Sequence, residues 1–142
     1  MRNELDELME PEPDGWDLWS PVRAMMTSPV ITVTGEATLR AVAELLATEG
    51  MGALVVEGPS GSFRVVTERD LVLALADGAD PDVSRVADVA TPDVITADPE
   101  DMVKDVAGVM ADYGIRHVPV QVDGNVVGMV SARDILRAVA TK

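Results

Sequence analysis

The stretch Val65-Val66-Thr67-Glu68-Arg69-Asp70 returns 64 positions later as Met129-Val130-Ser131-Ala132-Arg133-Asp134. Two apolar residues, a hydroxyl and an acid three residues beyond it describe a strand running directly into a helix. The hydroxyl caps the first turn and the acid reaches back to it. Outward from this pair, the same offset aligns Val22 through Leu75 with Val86 through Val139 without a gap. Identities include Thr27/Thr91, Val30/Val94, Ile31/Ile95, Thr32/Thr96, Val42/Val106, Gly50/Gly114, Arg69/Arg133 and Asp70/Asp134. A gap-free match over about 54 positions is a duplication, and it organises every other reading of the chain.

Each copy follows the same local order. A short apolar strand, Val30 to Val33 or Val94 to Ala97, comes first. A helix follows, with its stripe at helical spacing: Leu39, Val42, Ala43, Leu46, and again Val103, Val106, Ala107, Met110. Asp98-Pro99 predicts the start of the second of these helices, with aspartate as cap and proline at the first helical position. Gly50 and Gly114 fall where each helix should end in a left-handed residue. Two more strands are expected, His117 to Val122 and Val126 to Ser131 in the second copy, joined by Asp123-Gly124-Asn125. Gly58-Pro59-Ser60-Gly61 makes the corresponding turn in the first copy. A last helix begins at Glu68 or Ala132 and carries Leu71, Val72 and Leu75, or Ile135, Leu136 and Val139.

The reading is therefore a mixed α/β (α+β) chain built as β-α-β-β-α twice. It divides into an acidic leader over 1–19, a first repeat over 20–78, a linker over 79–85 and a second repeat over 86–142. Ser20-Pro21 is expected to cap a short helical turn before the first strand. About 55 residues cannot bury a sheet face alone, so the copies should pack together as a pseudo-twofold module.

Composition limits the function classes. Hydrophobic residues make up 47% and aromatics only 3%, which gives an aliphatic core and no stacking platform for single-stranded nucleic acid. A net charge of −14 repels phosphate backbones and anionic membrane surfaces, so neither nucleic acid nor membrane is an expected partner. The absence of cysteine excludes thiolate catalysis and Cys-based zinc sites and fits a cytoplasmic location. His117 is the single histidine, and no cluster of metal ligands accompanies it. No nucleophile–base pair or Gly-rich phosphate loop stands out, so no catalytic residue, metal or catalytic cofactor is assigned and the chain is not read as an enzyme.

The tandem repeat, each copy ending in apolar-apolar-Thr/Ser-x-x-Asp, resembles the CBS (cystathionine-beta-synthase) domain. Met25-Met26-Thr27-Ser28-Pro29-Val30 and Gly114-Ile115-Arg116-His117-Val118-Pro119-Val120 add to the likeness, which covers about residues 22–140. The resemblance implies two clefts binding AMP, ADP, ATP or S-adenosylmethionine as a regulatory ligand. It also implies a homodimer, with Leu71, Leu75, Ile135 and Val139 as the seam, and a regulated partner protein. In one cleft, B, it assigns Ser131 and Asp134 to the ribose and Val30, Ile31 and Thr32 to the adenine. Arg116 and His117, with Arg133 nearby, fall at the phosphates. In the other, A, it assigns Thr67, Arg69 and Asp70, with Val94, Ile95 and Thr96 opposite. Cleft A is the weaker of the two, because Gly52 and Ala53 replace Arg116 and His117, and Arg64 replaces Gly128. An interaction scaffold with vestigial clefts is the alternative function.

Overall fold

The hairpin that starts at Ala53 runs straight into the helix that the Thr67 motif predicts. The structure, a computed structural model, describes residues 15–92 and 94–140. The leader's residues 1–14 lie outside the described residues. Two compact units form, one from residues 31–94 and the other from residues up to Val30 together with those from Ile95 onward. Duplication and compaction thus divide the chain differently. Each unit takes the strands and helices of one repeat and the segment that leads into the first strand of the other.

In the 31–94 unit, strand β1 (Thr32–Thr34) pairs parallel with β2 (Ala53–Glu57), and β2 pairs antiparallel with β3 (Phe63–Thr67). Helix α1 (Leu39–Glu49) connects β1 to β2, and α2 (Glu68–Ala76) follows β3 with no intervening loop. Leu39, Val42, Leu46, Leu54, Val56, Val66 and Leu71 close a core that also takes Val86 and Ala90 from the segment leading the second repeat. That segment is fixed by a two-way backbone bridge between Thr91 and Val65, at 3.1 and 2.9 Å.

In the other unit, α3 (Val103–Tyr113) precedes the hairpin β4 (His117–Val122) and β5 (Asn125–Ser131), and α4 (Ala132–Ala140) follows. Asp123 at φ 51° and Gly124 at φ 82° make the two-residue turn whose twist matches the flanking strands. Val22, Val103, Val106, Met110, Val118, Val120, Val130 and Ile135 form the core. Here Thr27 makes the corresponding bridge to Met129, at 2.9 and 3.0 Å. Gly50 and Gly114 both close their helices at φ 65°, as expected from the sequence.

Four local expectations are corrected. The segment Val94 to Ala97 is not a regular strand; it makes a single parallel bridge between Ala97 and Val120. In the first repeat, the Val55 amide donates to the Ile31 carbonyl at 3.1 Å. The residue 64 positions on is Pro119, which has no N–H, so that rung cannot form. Next, α3 begins at Val103 rather than at Asp98-Pro99. The Asp98 carboxylate accepts from the Glu100 amide at 2.9 Å, so it closes a separate turn before the helix.

Thirdly, Ser20 does not cap the turn at Val22–Ala24; its hydroxyl accepts instead from the Asp17 amide at 3.0 Å. The Ser20 carbonyl accepts from the Val103 amide and that of Leu18 from Lys104, at 2.9 and 2.8 Å. These bonds satisfy two of the free N–H groups of a helix whose N-cap, Met102, offers no side chain for the purpose. Ser84, 64 positions after Ser20, does the same for Leu39 at 3.2 Å. Finally, Leu71 and Ile135 are only 7% and 6% exposed, because each faces the core of its own unit. The exposed large apolar residues on these helices are Val72, Leu73 and Leu75 on one and Leu136 and Val139 on the other.

Candidate functional site

In each unit the candidate site stands where the last strand of the hairpin becomes the final helix. Ser131 ends β5, and its hydroxyl accepts from the Asp134 amide at 3.1 Å. His117 lies opposite Ser131 in the ladder. The Arg116 carbonyl accepts from the Ala132 amide at 2.8 Å. The fold therefore brings Arg116, His117, Ser131 and Asp134 to one end of one hairpin, with Asp134 half-buried and Arg116 exposed. Arg133 is exposed on the first turn of α4, beside Asp134 in sequence. Val30 belongs to the same unit and is half-buried.

The matching end of the 31–94 unit has the same frame with different chemistry. Ala53 lies opposite Thr67, and the Glu68 amide donates to the Gly52 carbonyl at 3.0 Å. Thr67 and Asp70 form a complete capping box. The Asp70 amide donates to the Thr67 hydroxyl at 3.2 Å, and the Asp70 carboxylate accepts from the Thr67 amide at 2.9 Å. The structural role of this motif is thus fully satisfied in the first repeat. Arg69 is exposed on α2 and Val94 is half-buried. Ile31 packs against this unit's core and Thr32 is exposed on β1.

Asp134 differs. Among the described residues its carboxylate is met by the hydroxyl of Thr27, at 3.5 Å, rather than by the backbone of its own helix. Thr27 arrives on the bridged segment leading the first repeat, and the neighbouring Ser28 hydroxyl donates to the Val127 carbonyl at 2.9 Å. Neither hydroxyl was singled out from the sequence as a site residue. The available signals were the Thr27/Thr91 identity and the position of both inside the Met25–Val30 motif. Ile95 and Thr96 also fall in this unit; both are half-buried, and the Thr96 hydroxyl accepts from Gln121 at 3.0 Å.

Gly128 has a packing role. A β-carbon there would lie 2.3 Å from the Met26 sulfur. The matched pair in the first repeat reverses the sizes, with Ala90 in place of Met26 and Arg64 in place of Gly128. Arg64 extends over the surface, and its guanidinium donates to the Ala87 carbonyl at 3.4 Å.

Arg40 pairs with Asp82 of the linker, and the guanidinium holds that carboxyl below the ordinary carboxylate range. Lys104, at the position matching Arg40, sits 4.6 Å over the Trp19 ring instead. Among the described residues no group of three or more metal-binding side chains converges, and no helix is long and apolar enough to cross a membrane.

The CBS domain family model matches residues 22–77 and 86–141. An uncharacterized protein of Methanocaldococcus jannaschii is 35% identical over 118 residues, covering 82% of this chain and 42% of that protein, so the chain spans less than half of its relative. The CBS domain pair of protein MJ0100, solved in complex with 5′-methylthioadenosine and S-adenosyl-L-methionine, is 29% identical. It superposes with a TM-score of 0.77 over 84% of this chain and 99% of that one. The hexameric CBS-CP12 protein from bloom-forming cyanobacteria is 30% identical, with a TM-score of 0.78 over 84% of this chain and 68% of that one.

Proposed function

The chain belongs to the CBS-domain family, of which it carries two copies, and from that membership and the groups around Asp134 we propose a regulatory module that binds an adenosine-type nucleotide. Ser131 and Asp134 take the ribose hydroxyls, since a carboxylate accepts from both members of a diol in strong charge-assisted bonds. Arg116 and His117, with Arg133, take the phosphates, and arginine supplies most of the charge at neutral pH. Val30 contributes to the adenine end, with Ile31 and Thr32 as the family pattern assigns. The weaker site is built on Thr67, Arg69 and Asp70, with Val94, Ile95 and Thr96 as the family pattern assigns. Ligand state is passed to a partner protein rather than used in catalysis, in a cytoplasmic homodimer.

The observation that carries this reading is the presence of a cation, an imidazole, a hydroxyl and a carboxylate at one end of the β4–β5 hairpin. Support for the adenosine class comes from the ligands bound by the MJ0100 domain pair. The closed Thr67–Asp70 box favours the scaffold reading for the other end, where the same residues serve the helix. Titration calorimetry with AMP, ADP, ATP and S-adenosylmethionine tests the proposal. Binding by at least one, weakened about 10- to 150-fold in Asp134→Ala, is expected. No binding by any of the four leaves the scaffold reading.

A further inference from the structure

Thr27 and Asp134 are 107 positions apart, yet the fold sets the hydroxyl of one against the carboxylate of the other. We propose that Thr27 is a positioning residue for Asp134, holding its carboxylate clear of its own helix start and open to the ribose; this rests on the adenosine-binding reading above. The internal duplicate provides the comparison. In the first repeat the equivalent carboxylate, Asp70, turns back onto the Thr67 amide and closes the capping box. In the second repeat the Ser131 hydroxyl still caps the helix, but among the described residues the carboxylate's interaction is with Thr27 in place of the return bond.

Thr27 is well placed to hold that interaction. Its backbone exchanges two hydrogen bonds with Met129, and Ser28 beside it is tied to Val127. The hydroxyl is therefore presented from a fixed bridge rather than from a mobile loop. At 3.5 Å the bond is long, whereas a hydroxyl bound to a carboxylate normally sits at about 2.5–2.7 Å. The carboxylate keeps lone pairs free for a ribose diol beside it. Thr27 thus fixes the carboxylate's direction without opposing the ligand, and a closed capping box would have to open first. The exchange of leading segments makes this possible, since Thr27 belongs to the first repeat and Asp134 to the second.

The test uses Thr27→Val, which removes the hydroxyl at nearly constant shape, and Thr27→Ser, which retains it. In the full chain, Thr27→Val is expected to weaken AMP binding by about twofold, and Thr27→Ser to match wild type. In an Asp134→Ala background, Thr27→Val should add no further loss. Equal affinity of Thr27→Val and wild type, or a loss that persists without Asp134, overturns the proposal. The carboxyl carbon shift of Asp134, measured by NMR at pH 7 without ligand, provides a readout independent of nucleotide. It should move in Thr27→Val and return in Thr27→Ser. If wild type binds no adenosine ligand, the functional reading fails while this shift still decides the positioning role; a signal unmoved in Thr27→Val overturns it.

Discussion

Asp70 and Asp134 occupy the same position of the same motif, and their replacement by alanine should have opposite consequences. In Asp70→Ala the Thr67 amide loses its acceptor at 2.9 Å while the hydroxyl cap remains. A bond to a charged acceptor contributes about 1.5–3 kcal/mol at best, and the half-exposed setting places this one near about 1–1.5 kcal/mol. Favourable charge at the helix N-terminus and alanine's better helix propensity enter both substitutions alike, so they cancel in the comparison. In Asp134→Ala the Thr27 hydroxyl gives up an acceptor 3.5 Å away, the outer limit of hydrogen-bond geometry, and the cost should stay below about 0.5 kcal/mol. With a urea m-value of about 1.5–2 kcal/mol/M, the Asp70 substitution lowers the midpoint by about 0.5–1 M. The Asp134 substitution should leave the midpoint within about 0.3 M of wild type. Nucleotide affinity should show the reverse order, with Asp134→Ala losing most of it and Asp70→Ala little. Equal losses of stability, or equal losses of affinity, would refute the distinction between a carboxylate that caps and one that binds.

Arg116→Ala should weaken AMP or ADP at least about tenfold and leave adenosine nearly unchanged, measured by calorimetry, because the phosphate end alone loses a cation. Gly128→Ala should destabilise the chain by about 1–3 kcal/mol through the Met26 side chain, and Met26→Ala added to it should recover most of that loss, as followed by urea unfolding. The Arg40–Asp82 pair lowers the aspartate's folded value below its ordinary value of 3.8. Its stabilisation is therefore present above pH 3.8 and lost as pH falls through the lower folded value, so Asp82→Asn should narrow its stability gap to wild type as the solution is acidified through that range. Leu75→Glu with Val139→Glu should reduce the mass seen by light scattering to the 15.0 kDa of a single chain, since these residues are 49% and 48% exposed on matching helices. A wild-type protein already at that mass removes the homodimer.

Local sequence determined what depends on neighbours in the chain. The 64-residue repeat, the starts of both final helices, the two glycine C-caps and the Asp123-Gly124 turn all follow from spacing and backbone preference, and the structure has them where the pattern put them. Even the missing rung beside β4 was present as a proline, although only the pairing observed at Val55 gives Pro119 that meaning. Tertiary structure decided whatever needed a distant partner. The apolar stripe and the family resemblance put Leu71 and Ile135 in a dimer seam, and the core of each unit takes them instead. The Thr/Ser-x-x-Asp motif reads identically in both repeats, yet Asp70 is absorbed into a helix cap and Asp134 turns to Thr27. The physical reason is that a carboxylate takes the donor that packing delivers to it. In the second repeat that donor comes from a segment 107 residues away, brought in by a backbone bridge that no local periodicity encodes.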